Sequence, residues 1–110
     1  MRKFDTGATR DTDEGKLDYE GFLSPVVLRR FCEYMNRHRV QADGQVRASD
    51  NWQKGIPVDE YFKSLARHFF ELWEMRRVDG DSPEAVEKAC AIMFNIQGYL
   101  FECLREDKNR

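Results

Sequence analysis

Glu71 and Glu74 stand three residues apart in a segment of helical periodicity, so both carboxylates fall on one helical face. Such a pair can hold a hard cation such as Mg²⁺, which takes one or two protein carboxylates and fills its other positions with water and substrate phosphates. Arg67 and His68 lie one turn earlier. Arg67 shares a polar stripe with Glu60, Ser64, Glu71 and Glu74, where its guanidinium could clamp a phosphate. The plainer reading is a solvated face with Arg67 and Glu71 paired at i, i+4, worth a few tenths of a kcal/mol. A second acidic group, Asp79, Asp81, Glu84 and Glu87, follows. Asp81 and Glu84 also suit the positive end of a helix, which leaves Glu87 least explained.

Further cationic and aromatic groups sit on loops. Asp50-Asn51-Trp52-Gln53-Lys54-Gly55 sets a large apolar ring among charged and hydrogen-bonding groups. Arg10, Lys16, Arg47 and Lys54, with Tyr19 and Trp52, suit a nucleotide: charge for the phosphates, a π-face for the base. Scattered surface charge accounts for them equally well. Several motifs are excluded. Asp11-x-Asp13-x-Gly15 puts glycine at the fifth position of a calcium loop, where an oxygen ligand is needed. There is no G-x-x-x-x-G-K-[ST] phosphate loop, and His68 without a second histidine nearby is a poor zinc site.

These residues need helices to position them. Ser24-Pro25 and Ser82-Pro83 are cap-and-proline openings. They predict one helix from Pro25 to near Arg39, with Val27, Leu28, Phe31, Cys32, Tyr34 and Met35 as its apolar stripe. They predict another from Pro83 to Arg105, apolar nearly all round between Ala89 and Ile96 and therefore central. Asn95 interrupts that run and needs a hydrogen-bond partner if buried. Between them a helix is expected from Val58 or Asp59 to Arg77, burying Phe62, Leu65, Ala66, Phe69, Phe70, Leu72 and Trp73. Residues 3–23 read as an irregular arm with Phe4, Leu17, Tyr19 and Phe22-Leu23 as anchors; residues 40–57 read as a long, ordered, functional loop. Residues 106–110 read as a charged tail.

The chain has 110 residues, 41% of them apolar, 13% aromatic and 35% charged, with net charge −2. That is one domain with one modest core, 24–105. Acid and base are interleaved, which argues against extended nucleic-acid binding through a broad basic face. Cys32, Cys90 and Cys103 form no Cys-x-x-Cys pair and read as reduced core thiols of a cytoplasmic protein. No signal peptide is expected, and the longest apolar run is far short of a membrane span. The fold expectation is all-α: three main helices in a small bundle with long ordered polar loops. Three helices make a small core, so dimerisation completing a larger bundle is expected.

Lys3-Phe4-Asp5-Thr6-Gly7-Ala8-x-Arg10-Asp11, Gly15-Lys16, Asn51-Trp52-x-x-Gly55, Arg67-His68 and Asn95 together resemble the dATP/dGTP diphosphohydrolase N-terminal-domain family, found largely in bacteriophages. The resemblance spans residues 3–104. It implies hydrolysis of a purine deoxynucleoside triphosphate to monophosphate and pyrophosphate, in the host cytoplasm, and kinship with all-α MazG-type pyrophosphohydrolases. There, acids on neighbouring helices hold Mg²⁺, which activates water and bridges phosphates. Carried over, Glu71 and Glu74 would be catalytic and metal-binding, with Asp79, Asp81 or Glu87 completing the metal site. Arg10, Lys16, Trp52, Lys54, Arg67 and His68 would bind substrate. One departure stands out: many members carry an acidic Asp-x-Glu-Ser-Gly segment and a later His, where this chain reads Arg76-Arg77-Val78-Asp79-Gly80-Asp81-Ser82-Pro83. A non-catalytic nucleotide binder and a host-interaction module are the alternatives.

Overall fold

The computed structural model describes residues 2–108. Among them the chain is mainly helical. A two-residue antiparallel hairpin, β1 (Arg2–Lys3) with β2 (Thr9–Arg10), leads to a single turn, α1 (Tyr19–Phe22), and then to α2 (Pro25–Arg37). After a loop and a 3-10 turn (Asn51–Lys54) come α3 (Val58–Asp79) and α4 (Pro83–Lys108). The all-α reading is correct. The tail expected at 106–110 is helical through Lys108, and residues 109–110 lie outside the described range.

Helix ends follow the local chemistry. Ser24 Oγ accepts from the Val27 N–H at 3.3 Å and Ser82 Oγ from the Ala85 N–H at 3.2 Å, so both cap-and-proline openings are real starts. α3 stops at Gly80, whose φ of 73° suits glycine and whose N–H closes on the Arg76 carbonyl at 3.1 Å. Only Gly80-Asp81-Ser82 separates α3 from α4, so the two pack as an antiparallel pair.

The core lies along this pair. Tyr61, at 2% exposure, is the most buried large side chain; its ring abuts Gly98 of α4 and meets Phe94 edge-on at 5.8 Å. Ala85, Cys90, Ala91 and Phe31 of α2 complete the buried apolar set. Asn95 is also buried and donates to the Ala91 carbonyl at 2.8 Å, which supplies the partner its sequence position requires.

Several expectations are corrected here. The buried face of α3 is not the aromatic one: Phe62, Phe69, Phe70 and Trp73 are each 52–59% exposed and Ala66 is exposed too, while Tyr61, Leu65, His68 and Leu72 turn toward α4. Periodicity marked the more apolar of two stripes, and a two-helix contact buries the other. The N-terminal anchors do not dock either, since residues 3–29 are exposed throughout, including Val27 and Leu28 of the expected α2 stripe. The arm is not wholly irregular: Gly7 (φ 89°) turns the hairpin, Arg2 bonds Asp13 at 2.8 Å, and Asp18 caps α1. Of the cysteines only Cys90 is buried; Cys32 is exposed and Cys103 half-buried. Among the described residues no helix is long and apolar enough to cross a membrane.

Candidate functional site

α2 leans on α4 through one carboxylate. Glu87 accepts from Arg30 Nη2 at 2.6 Å and from Arg37 Nη2. The paired guanidiniums, Arg37's hydrogen bond first, hold the Glu87 carboxyl below its ordinary range. Beyond α2 the chain reverses in a clasp. Val40 and Val46 form a bridge around Gly44 (φ 86°). Arg39 Nε donates to the Arg47 carbonyl at 2.8 Å, and Arg47 Nη2 to the His38 carbonyl at 2.7 Å. The clasp aims the chain into the 3-10 turn, where Trp52 settles on α4 edge-on to Phe101 at 5.0 Å and to Phe94 at 6.3 Å. Arg105 pins the turn by donating to the Gln53 carbonyl at 3.0 Å. The expected long loop is therefore ordered by local bonds and one aromatic anchor.

These elements enclose a cavity of about 730 Å³ between α2, the loop, and the α3–α4 pair. Phe31, Tyr34, Trp52 and Phe94 supply apolar walls. Asn36, Asn51, Asn95, Gln97 and Ser64 supply hydrogen-bonding groups, and Arg39, Arg47, His38 and His68 supply basic ones. Among the described residues no carboxylate lines it. Among the described residues neither Arg39 nor Arg47 has an acidic partner; their bonds go to neutral oxygens, which leaves both charges uncancelled. The volume is within the ~300–1,000 Å³ typical of small-molecule sites.

His68 has a defined protonation state. Burial, and then the nearby Lys88 ammonium, push its pKa below the ordinary 6.5, so the ring is neutral at neutral pH. Lys88 Nζ faces Nδ1 at 3.4 Å, and an ammonium has no lone pair to accept with. Nδ1 therefore accepts, and Nε2 carries the proton as a hydrogen-bond donor.

The expected site residues are distributed around this cavity rather than within it. Trp52 and His68 line it. Arg67 is exposed on the adjoining turn and reaches cavity-lining Ser64 at 3.4 Å. Lys54 ends the 3-10 turn, exposed; Arg10 and Lys16 lie on the exposed arm. Glu71 is bonded to Lys88 at 3.0 Å, which lowers its pKa, and lies 3.7 Å from His68. Glu74 sits on the outward side of α3 beside Phe70, Trp73 and Arg77. Asp79 and Asp81 are exposed at the α3–α4 turn, Asp81 on Arg76 at 2.8 Å, and Glu87 is held by α2. Among the described residues no three His, Cys, Asp or Glu side chains gather as a metal group. A metal ion at Glu71 would have to displace Lys88.

Arg39 was not among the expected substrate residues. Arg47 was legible as a loop cation, and Asn51 and Asn95 as part of the resemblance. No family model, no curated protein and no solved structure matches the chain.

Proposed function

We propose that the cavity binds a phosphorylated nucleoside. The observation that carries this reading is the pair Arg39 and Arg47, two charges that have no acidic partner among the described residues, at a cavity that none of the described carboxylates lines. An anion is the ligand such a site favours, and guanidiniums suit phosphate oxygens by shape and charge. The aromatic walls and amide side chains suit a heteroaromatic ring with donors and acceptors on its edge. His68 Nε2–H adds a neutral donor. The resemblance to the dATP/dGTP diphosphohydrolase N-terminal-domain family supports purine deoxynucleotides as the first ligands to try. Binding to a panel of deoxynucleotides and matched nucleosides, measured calorimetrically, tests it. Nucleotides should bind and nucleosides should not, and Arg47→Gln should weaken nucleotide binding about ten- to a hundredfold, the range expected for one charge-assisted hydrogen bond. Equal affinity for nucleoside and nucleotide, or none for either, refutes the reading.

A second reading adds turnover. Glu71 stands directly behind the cavity wall, 3.7 Å from His68, which keeps open a Mg²⁺-dependent pyrophosphohydrolase. The donor set among the described residues does not present a metal site in this arrangement. Pyrophosphate release from the same panel with Mg²⁺, lost in Glu71→Ala, would establish it.

A further inference from the structure

The face of α3 turned away from the cavity carries the largest group of exposed aromatic rings in the described chain. Phe62, Phe69, Phe70 and Trp73 are each more than half exposed, and Ile96 and Leu100 of α4 are about half exposed. An aromatic side chain buries about 150–250 Å² when fully enclosed. The six together expose on the order of 600–800 Å² of apolar surface, close to the ~800 Å² each partner contributes to a standard stable interface. The chain is also far from compact: its radius of gyration is 19.2 Å, against about 13 Å for a self-contained domain of this length.

The pattern on α3 identifies the partner, because it complements itself in reverse. Asp59 and Arg77 are about five whole helical turns apart and so lie on the same flank of the aromatic face. Both are exposed, and neither has an ionic partner among the described residues. A two-fold axis crossing α3 beside Arg67 and His68 makes a second copy antiparallel and keeps flanks matched. It places Asp59 opposite Arg77, Phe62 opposite Trp73, and small Ala66 opposite Phe69, each pair occurring twice. A closed, isologous contact of this kind is the commonest form of homo-oligomer.

We propose that this face binds a second copy of the chain, with α3 packed antiparallel on α3 in that register. The cavity side stays open. A parallel two-fold would bring Asp59 level with Asp59 and Arg77 level with Arg77 but on opposite flanks, where they do not pair, so charge reversal separates the two. Sedimentation velocity across about 1–100 μM should show a dimer. Phe69→Glu should give a monomer of unchanged helicity. Asp59→Arg alone and Arg77→Asp alone should each weaken the dimer about tenfold, since two rim pairs become repulsive. The double variant should return to within about threefold of wild type. A wild-type chain that stays monomeric at 100 μM overturns the proposal, as does a double variant at least as weak as the sum of the singles.

Discussion

Gly98→Ala sets two magnitudes against each other. Gly98 sits inside α4, where alanine is favoured over glycine by about 1 kcal/mol of helix propensity. On a free helix the substitution would therefore stabilise. A methyl built on Gly98, however, overlaps the Tyr61 ring at Cε1 and Cζ and comes within 2.7 Å of its hydroxyl oxygen. Tyr61 is fully buried and cannot swing away, so α3 and α4 must separate by about 1 Å or more to restore ordinary contact. Overpacking of this kind costs about 1–3 kcal/mol and at times more, which outweighs the propensity gain. The net expectation is a loss of about 1–2 kcal/mol, or a fall in Tm of roughly 5–15 °C. Urea unfolding followed by circular dichroism measures it. Tyr61→Ala alone should cost about 3–5 kcal/mol, but clearly less in the Gly98→Ala background, where the cavity is part filled. Tyr61→Phe is the control. The Tyr61 hydroxyl is buried with no partner among the described residues, so its removal should be neutral or stabilising. A Gly98→Ala protein as stable as wild type, or more so, would refute this account of how α3 meets α4.

Two other outcomes concern charge. Acidification should lower stability in two stages. His68 has a folded pKa below 6.5, so the unfolded chain binds the proton first and stability drops as pH falls through 6.5; His68→Gln should remove that stage from denaturation curves. Glu71 and Glu87 sit below the ordinary 4.5, so their contribution is whole above 4.5 and lost as pH falls through their lowered values. Glu87→Gln leaves Arg30 and Arg37 facing each other without a carboxylate, and should lower Tm and increase proteolytic cleavage between α2 and α3 at neutral pH.

Local signals were legible, and tertiary choices were not. Serine caps, prolines at first turns and the glycine stop act within a few residues, so the three helices appear in the sequence where they lie in the structure. Trp52 and His68 announced themselves by residue type. The buried stripe of α3 did not, because its aromatic stripe is the more apolar one and only the position of α4 decides between them. Arg39 was not legible, because nothing in its spacing separates it from the chain's other arginines. The pairings Glu71–Lys88 and Glu87–Arg30 join residues 17 and 57 apart in sequence, beyond any local pattern. Two of the carboxylates that looked free for a metal, Glu71 and Glu87, are therefore ones that tie helices together.

The three-residue turn between α3 and α4 has a consequence for the order of assembly. Its two helices meet through the shortest closure in the chain, and such local contacts form fast and at small entropic cost. The cavity depends on closures of another scale: Arg105 reaches Gln53 across 52 residues, and Arg30 reaches Glu87 across 57. Each doubling of a loop adds about 0.6 kcal/mol to its closure. The binding wall should thus be the last part to form and the first to open, on a hairpin that stays intact beneath it. A ligand present at a hundred times its dissociation constant would contribute about 2.7 kcal/mol, acting directly on that late step. Occupancy would then govern how long α2 and the Trp52 turn remain seated, and a bound ligand would complete the fold it enters.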